Sequence, residues 1–430
     1  MPSDAARATW RSRAAFFASL LPVALPAALL LLAHRLWIRR KGMTGLAAKL
    51  SGRGPRRTPG QILVHGVSLG EVNLMRPLVP ALEAALRARC LLTTTTETGW
   101  ARLAELFPGH DRELLPLDLP WAVERFLSRT RPRAIVLLEL EVWPQLLYRA
   151  AARGIPVWLL NARVSERSFR GYRRGGALLA PCFRGLDLVL AQNGLWGARL
   201  RALGAPRVRV CGSMKADMVA PVADDDRRAL ATAYGLSAHR PLLLLASTSA
   251  GEERTILADR LSAWLARGWQ VVICPRHPER GGELAELISS LGAPVARSST
   301  AGFRPADGVL IVDQIGKLGG LYAQAAATVG IVVVGGSLGS GRGGQNMLEP
   351  AAVAACTVVG WDTRNFPDAM ALLRTAGGVV EVTAANLHQT LDALAEDPTR
   401  RACLGRAGHA AWAAGRGAVA RAVALCATRI

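Results

Sequence analysis

The segment His65-Gly66-Val67-Ser68-Leu69-Gly70-Glu71 sets one carboxylate just past a small-residue turn, after the apolar run Ile62-Leu63-Val64. Gly66 and Gly70 let the chain turn tightly, and the stretch Val72–Ala88 that follows has helical spacing. A carboxylate at such a strand-to-helix junction faces the ligand crevice of an open α/β sheet, where it can take a proton from a hydroxyl nucleophile. Glu71 is therefore a candidate general base. The commoner role of an acid in a first helical turn is to stabilise the helix's positive end, so the motif alone does not decide between the two.

Further groups with chemical potential follow along the chain. Glu139 and Glu141, in LELEVWP, lie two apart at the end of a strand-like run and are expected on opposite faces of the sheet, each with the plain reading of a sheet-end carboxylate. Lys215, in GSMKAD, is a cation suited to a phosphate or carboxylate, although a lone surface lysine is usually just solvated. Pro275 and Arg276, in ICPRHPER, end another apolar run, and arginine offers a bidentate fork for phosphate. The stretch GGSLGSGRGGQNMLEPAAVAA enters a glycine-rich loop, with Asn346 placed to cap a helix and Glu349 in its first turn. It is not a P-loop, because no Gly-Lys-Ser/Thr follows. The Asp224–Asp226 run is the sole DxD-like candidate for a metal and reads as a solvated turn.

The elements that must position these groups are visible as apolar runs alternating with helical stretches. Strands are expected at 61–67, 90–95, 113–117, 133–138, 156–161, 187–192 and 207–211. A second series falls at 242–248, 271–276, near 294, and at 309–312, 327–336, 357–360 and 378–382. Alternation at this spacing predicts mostly parallel, doubly wound sheets. The break at 217–240, with Pro221 and an acidic run, divides the chain. The expected organisation is 1–41 as a membrane anchor with basic flanks, 42–217 as a first Rossmann-like domain, 218–240 as a linker and 241–430 as a second Rossmann-like domain with C-terminal helices. The helical tail 388–427 could fold back across the junction.

Charge and hydropathy narrow the partners. The formal net charge is +21, and residues 1–57 carry eleven Arg/Lys against the single acid Asp4. Within them, residues 14–33 run twenty residues without a charge, long enough to span a bilayer as a helix, although Pro22 and Pro26 would kink it. A cleaved signal peptide, a single span, and a kinked or shallow helix held at an anionic leaflet all remain open readings. The heavier basic cluster lies C-terminal to the segment, so the positive-inside rule assigns residues 35–430 to the cytoplasm. Nucleic acid is not the expected partner: no zinc-ligand pattern, basic helix or aromatic platform accompanies the charge. Seven scattered cysteines without a CxxC pair read as small buried hydrophobes in a reducing compartment.

Taken in order, HGVSLGE, TTTTETGW, LPLDLPWAVERFL, LELEVWPQLL, NARVSERSFRGYRR, CGSMKAD, ASTSAGEE, PRHPER and GGSL…RGGQNMLEPAA resemble the Kdo transferases of lipopolysaccharide assembly, from the N-terminal apolar segment to about residue 400. Those enzymes move 3-deoxy-D-manno-octulosonic acid (Kdo) from CMP-Kdo onto lipid A precursors. The resemblance implies a GT-B glycosyltransferase, an α/β protein of two Rossmann-like doubly wound domains facing across a cleft, working by inversion and without metal or other cofactor. It implies Glu71 as the base, with Glu139 and Lys215 stabilising the transition state. It also implies CMP contacts from Pro275, Arg276, Gly316, Lys317, Leu318, Asn346, Met347, Leu348 and Glu349. The lipid A precursor and the anionic inner-membrane leaflet are the implied partners, and Arg163, Arg167, Arg170, Arg173 and Arg174 form a candidate docking patch for their phosphates. Four departures stand out: Gln345 and Met347 replace the family's usual His and Pro beside the Asn, Lys317 replaces an acid, and Ser249 replaces a common His. The alternatives are a GT-B transferase of another nucleotide-activated sugar onto a membrane lipid, and an inactive membrane-scaffold paralogue.

Overall fold

The apolar runs become strands with little adjustment. In the computed structural model, which describes residues 45–220, 222–300 and 308–429, the run after Gln61 forms β1 (Ile62–His65), buried at every position. β2 (Cys90–Thr94), β3 (Asp111–Leu114), β4 (Ala134–Leu138), β5 (Val157–Ala162), β6 (Leu188–Ala191) and β7 (Val208–Val210) complete a first sheet in the order β3-β2-β1-β4-β5-β6-β7. All its pairings are parallel. Parallel strands are covered on both faces by their crossover helices, which is why they read as continuous apolar runs. Ile62 and Val64 pack on one face with Leu74, Met75, Leu78 and Leu82, while Leu63 packs on the other with Phe126, Leu146 and Phe183.

A second sheet comprises β8 (Leu242–Thr248), β9 (Gln270–Pro275), β10 (Val295–Arg297), β11 (Val309–Ile311), β12 (Ile331–Val334), β13 (Cys356–Val359) and β14 (Val380–Glu381). Its order is β10-β11-β9-β8-β12-β13-β14, again all parallel. In each sheet the chain winds outward on one side and then returns to the other side of its first strand. The reversals fall between β1 and β4 and between β8 and β12. Helices after adjacent strands diverge there, leaving room for a ligand at the carboxyl ends.

The division of the chain departs from the sequence expectation in two ways. The expected linker 218–240 contains the helix Asp224–Ala233, which belongs to the second unit: it packs on the helix Leu318–Ala327, and Arg227 Nη1 donates to Gln324 Oε1 at 2.9 Å. The expected C-terminal domain 241–430 does not hold to its end. The described residues through Met218 and from Gly417 onward form one compact unit, and those between Val219 and Arg416 form the other. The last helix, Ala418–Ala427, buries Ala418, Val419, Ala422, Val423 and Cys426 in the first unit's core. Each such valine contributes roughly 1.5–3 kcal/mol by burial. Asp217 fixes its start by accepting the Gly417 and Val419 amides at 2.7 and 2.8 Å.

Six of the seven cysteines are buried and Cys403 is exposed; all are free thiols. The expected anchor, residues 1–41 with the apolar segment 14–33, lies outside the described residues, and among those described no helix is long and apolar enough to cross a membrane.

Candidate active site

Glu71 stands at the reversal point of the first sheet. Ser68 caps the helix Leu69–Leu86: its Oγ accepts the Glu71 amide at 3.2 Å, and its hydroxyl donates to Glu71 Oε1 at 2.7 Å. Glu71 Oε2 accepts the Val67 amide at 2.7 Å. This is a variant of the capping box, in which an acid three residues past the cap satisfies an N–H ahead of the helix. The structural role is therefore met, and it does not exclude a chemical one. Gly66 permits the approach, since a Cβ there would lie 3.0 Å from the Glu71 Cβ. Burial raises the Glu71 carboxyl above its ordinary range; the Ser68 and Val67 bonds oppose this, and the charge of Glu139 adds to it. A carboxylate held this way is a stronger base than one in water.

Glu139 and Glu141 correct the opposite-face expectation. β4 ends at Leu138, and Glu139 turns into a left-handed conformation (φ 59°), so strand alternation no longer applies. Glu139 Oε2 accepts Arg163 Nε at 2.6 Å. Glu141 Oε2 accepts the Trp143 indole N–H at 2.9 Å, and its carboxyl is pushed up to about 7 by burial first, then by Glu71 and Glu139. The three acids form one electrostatic cluster at the carboxyl ends of the neighbouring strands β1 and β4. Behind it lies His65, fully buried, with Nδ1 3.0 Å from Thr93 Oγ1 and its ring edge-on to Trp143. Burial pushes its pKa down to about 3, so it is a neutral imidazole.

Lys215 lies on the loop after β7. That loop is drawn back to β5 by Asn161, itself left-handed (φ 52°), whose Oδ1 accepts the Met214 amide at 3.0 Å. The arginine patch is only partly free. Arg163 turns to Glu139, and Arg170 and Arg199 bind Glu166, which leaves Arg167, Arg173 and Arg174 exposed along the helix Glu166–Arg174.

In the second unit the glycine-rich loop follows β12, at the other reversal point, and Glu252 holds it. Glu252 follows β8; its Oε2 accepts the Gly336 amide at 2.7 Å and the Ser249 amide at 2.8 Å, and its Oε1 accepts the Leu338 amide at 2.8 Å. Sequence reasoning gave Glu252 no role, although a signal was present. Ser249-Ala250-Gly251-Glu252 repeats Ser68-Leu69-Gly70-Glu71, each after the strand at its sheet's reversal point. One acid faces its own turn, whereas the other is committed to a loop 84 residues away. From the far side, Asp362 Oδ2 accepts the Gly343 amide at 3.1 Å and Asn365 Nδ2 donates to Arg342 O at 2.6 Å.

The expected nucleotide residues fall into two groups. Pro275 ends β9, and Arg276 follows it with its amide on Thr248 O at 3.0 Å. Asn346 Nδ2 donates to Glu349 Oε1 at 3.0 Å, and Arg276 lies close enough to oppose the rise that burial imposes on the Glu349 carboxyl. The structure therefore brings Arg276, Asn346 and Glu349 together. Gly316 and Lys317 form an exposed turn leading into Leu318, the first residue of the helix Leu318–Ala327. Buried Tyr322 of that helix senses the Glu349 charge. Two details differ from expectation. Met347, not Asn346, occupies the cap position of Leu348–Ala352, a helix of only five residues. The side chains of Met347 and Leu348 are buried in the core, leaving backbone groups alone to contact a ligand, and the Leu348 amide already meets Asn346 Oδ1.

The DxD-like run Asp224–Asp226 is not a turn but the first turn of the helix Asp224–Ala233, where Asp224 and Asp225 pair with Arg227 and Arg228. No group of three or more His, Cys, Asp or Glu suited to a metal occurs among the described residues.

Residues 35–218 match the family described as 3-Deoxy-D-manno-octulosonic-acid transferase (kdotransferase). A 3-deoxy-D-manno-octulosonic acid transferase of Bordetella pertussis is 37% identical over 388 residues, covering 87% of this chain and 88% of its own. The chain belongs to the Kdo transferase family. It is a glycosyltransferase of GT-B architecture, and solved structures match that fold. A UDP-GlcNAc 2-epimerase of Neisseria meningitidis aligns with TM-score 0.57 at 15% identity, over 85% of this chain and all of that one. A glycosyltransferase of Rickettsia africae aligns with TM-score 0.56 at 11% identity, over 86% and 98%. At such identities these two neighbours speak for the fold alone. In this family member both carboxyl-edge sites, the acidic cluster and the Arg276–Glu349 group, sit where each doubly wound sheet opens.

Proposed function

We propose that the chain transfers Kdo from CMP-Kdo to a lipid A precursor, lipid IVA, in an inverting single displacement with Glu71 as general base. The observation that carries this reading is the Glu71 carboxylate: buried, fixed by Ser68 and Val67, and raised in basicity at the reversal point of its sheet. The acceptor hydroxyl loses its proton to Glu71 while its oxygen bonds to the anomeric carbon of Kdo. The bond from that carbon to the CMP phosphate breaks, and its electron pair leaves with CMP. Glu139 and Lys215 stabilise charge in the transition state. Arg276 meets the phosphate, Glu349 accepts the ribose hydroxyls, and the turn Gly316-Lys317-Leu318 lies against the nucleotide. No metal or cofactor takes part. The exposed Arg167, Arg173 and Arg174 attract the phosphates of the acceptor and of the anionic leaflet, with the N-terminal segment as anchor on the cytoplasmic face of the inner membrane.

Product mass analysis with CMP-Kdo and a tetraacylated lipid A precursor tests this reading. An acceptor heavier by one or more Kdo units is the expected result. Transfer from a different activated sugar, or none from CMP-Kdo, overturns it. The membrane part is tested on vesicles: full-length protein should resist a high-salt wash, and protein that washes off has no apolar anchor.

A further inference from the structure

The loop that carries Lys215 is tied at its start, its middle and its end. In the middle, Met214 and Ala216 on either side of Lys215 are buried, and Asn161 Oδ1 accepts the Met214 amide at 3.0 Å. Asn161 lies near the end of β5, just before Arg163, whose Nε donates to Glu139 Oε2 at 2.6 Å. The loop is thereby joined through β5 to the acidic cluster. The other two ties come from the C-terminal helix Ala418–Ala427, some 200 residues later. At the loop's end, Asp217 accepts the Gly417 and Val419 amides at 2.7 and 2.8 Å. At its start, Arg421 donates from Nε and Nη2 to the Cys211 carbonyl at 3.0 and 2.9 Å. Two left-handed glycines make room for that guanidinium. A Cβ on Gly212 (φ 84°) would lie 3.1 Å from Arg421 Nη2, and one on Gly417 (φ 82°) would lie 3.0 Å from Nη1. A planar charged fork closed on one carbonyl in so narrow a space fixes both position and direction. The helix does not depend on it for its seat, because its apolar residues enter the core while Arg421 lies on its exposed side. These polar ties therefore act on the loop.

We propose that Arg421, together with Asp217, is a positioning residue for the transfer reaction: the start of the C-terminal helix holds the loop 211–218 so that Lys215 stands where charge develops. This rests on the assignment of Lys215 to the transition state under Proposed function. The physical basis is preorganisation, since a cation fixed beforehand stabilises developing charge without moving at the moment of reaction. With the ties cut, the loop samples other positions and Lys215 must be ordered in each turnover, at the expense of kcat rather than of donor binding.

Arg421→Ala removes both bonds to Cys211 and leaves the apolar seat of the helix in place. Steady-state transfer from CMP-Kdo by the full-length protein should show kcat lower by about tenfold with KM for CMP-Kdo near its wild-type value, since a misplacement of about 1 Å can cost on the order of 10²-fold. Arg421→Lys, which keeps a donor for the Cys211 carbonyl, should recover part of the loss. Hydrogen exchange at the Met214 and Asp217 amides should quicken in Arg421→Ala, and unchanged exchange overturns the proposal. The decisive comparison is made in Lys215→Ala protein, where Arg421→Ala should cost nothing further because the two side chains serve one interaction. An equal loss in both backgrounds overturns the proposal, since a general loosening of the fold lowers either protein alike. If Lys215→Ala is impaired and Arg421→Ala is not, the positioning role alone falls. If Lys215→Ala transfers at the wild-type rate, the assignment of Lys215 falls and the proposal with it.

Discussion

Glu252 Oε2 accepts the amide of Gly336 at 2.7 Å, tying the turn after β8 to the loop after β12 across 84 residues of sequence. With the Leu338 amide on Oε1, this one buried carboxylate satisfies two donors at the head of the glycine-rich loop. Glu252→Ala strands those amides, at a cost of about 1–3 kcal/mol for each buried donor left unpaired. The expected outcome is a lower unfolding midpoint together with weakened CMP binding. Calorimetry showing wild-type CMP affinity would separate the loop from the nucleotide.

Glu71→Gln keeps the size of the side chain and an oxygen for the Val67 amide, but it cannot take a proton. Transfer should fall by about 10²–10⁴-fold with CMP binding unchanged, since a general base contributes on that order. Activity above about a tenth of wild type removes Glu71 from the role. In the wild type the acid limb of kcat/KM should lie above the 4.5 of an ordinary glutamate, because burial raises the group that must be ionised.

Arg276 and Glu349 are assigned to phosphate and ribose, which CMP and CMP-Kdo share. Arg276→Ala and Glu349→Ala should therefore weaken both ligands together, each by about 1–3 kcal/mol where a buried partner is stranded. If both variants bind CMP like wild type, the nucleotide lies elsewhere.

His65 couples stability to pH. Its folded pKa, about 3, lies below the 6.5 of an unfolded histidine. As pH falls below 6.5 the unfolded chain takes up a proton that the native state refuses, so native stability is complete above 6.5 and declines towards 3. Between pH 6.5 and 5 this amounts to about 2 kcal/mol. His65→Leu should lose correspondingly less stability over that interval in denaturant titrations, and parallel losses in the two proteins contradict the assignment.

The strands were legible because parallel sheets bury both faces: runs such as LLLLAST and VVICP had no other use for so many adjacent apolar residues. Turn residues and helical spacing located the helices at Pro120–Thr130 and Pro144–Ala152 for the same reason, local chemistry read locally. The placement of the proposed site residues was legible where a strand end and a following acid or arginine fixed the position, as at Glu71 and Arg276. What the sequence could not carry was any choice made by distant groups. The last helix, Ala418–Ala427, could be recognised as helical, but its docking on the first unit depends on Asp217, some 200 residues earlier, and on the apolar face of the helix Leu69–Leu86, earlier still. Glu139 and Glu141 alternate in sequence, yet a left-handed turn at Glu139 joins both to Glu71. Ser68-Leu69-Gly70-Glu71 and Ser249-Ala250-Gly251-Glu252 are the same local pattern, yet Ser68 caps a helix that begins at Leu69, whereas Gly251, left-handed (φ 89°), precedes one that begins at Glu252. Only the tertiary structure gives one glutamate a place in the acidic cluster and the other a loop to hold, because a carboxylate bonds to whatever donors the fold brings within 3 Å.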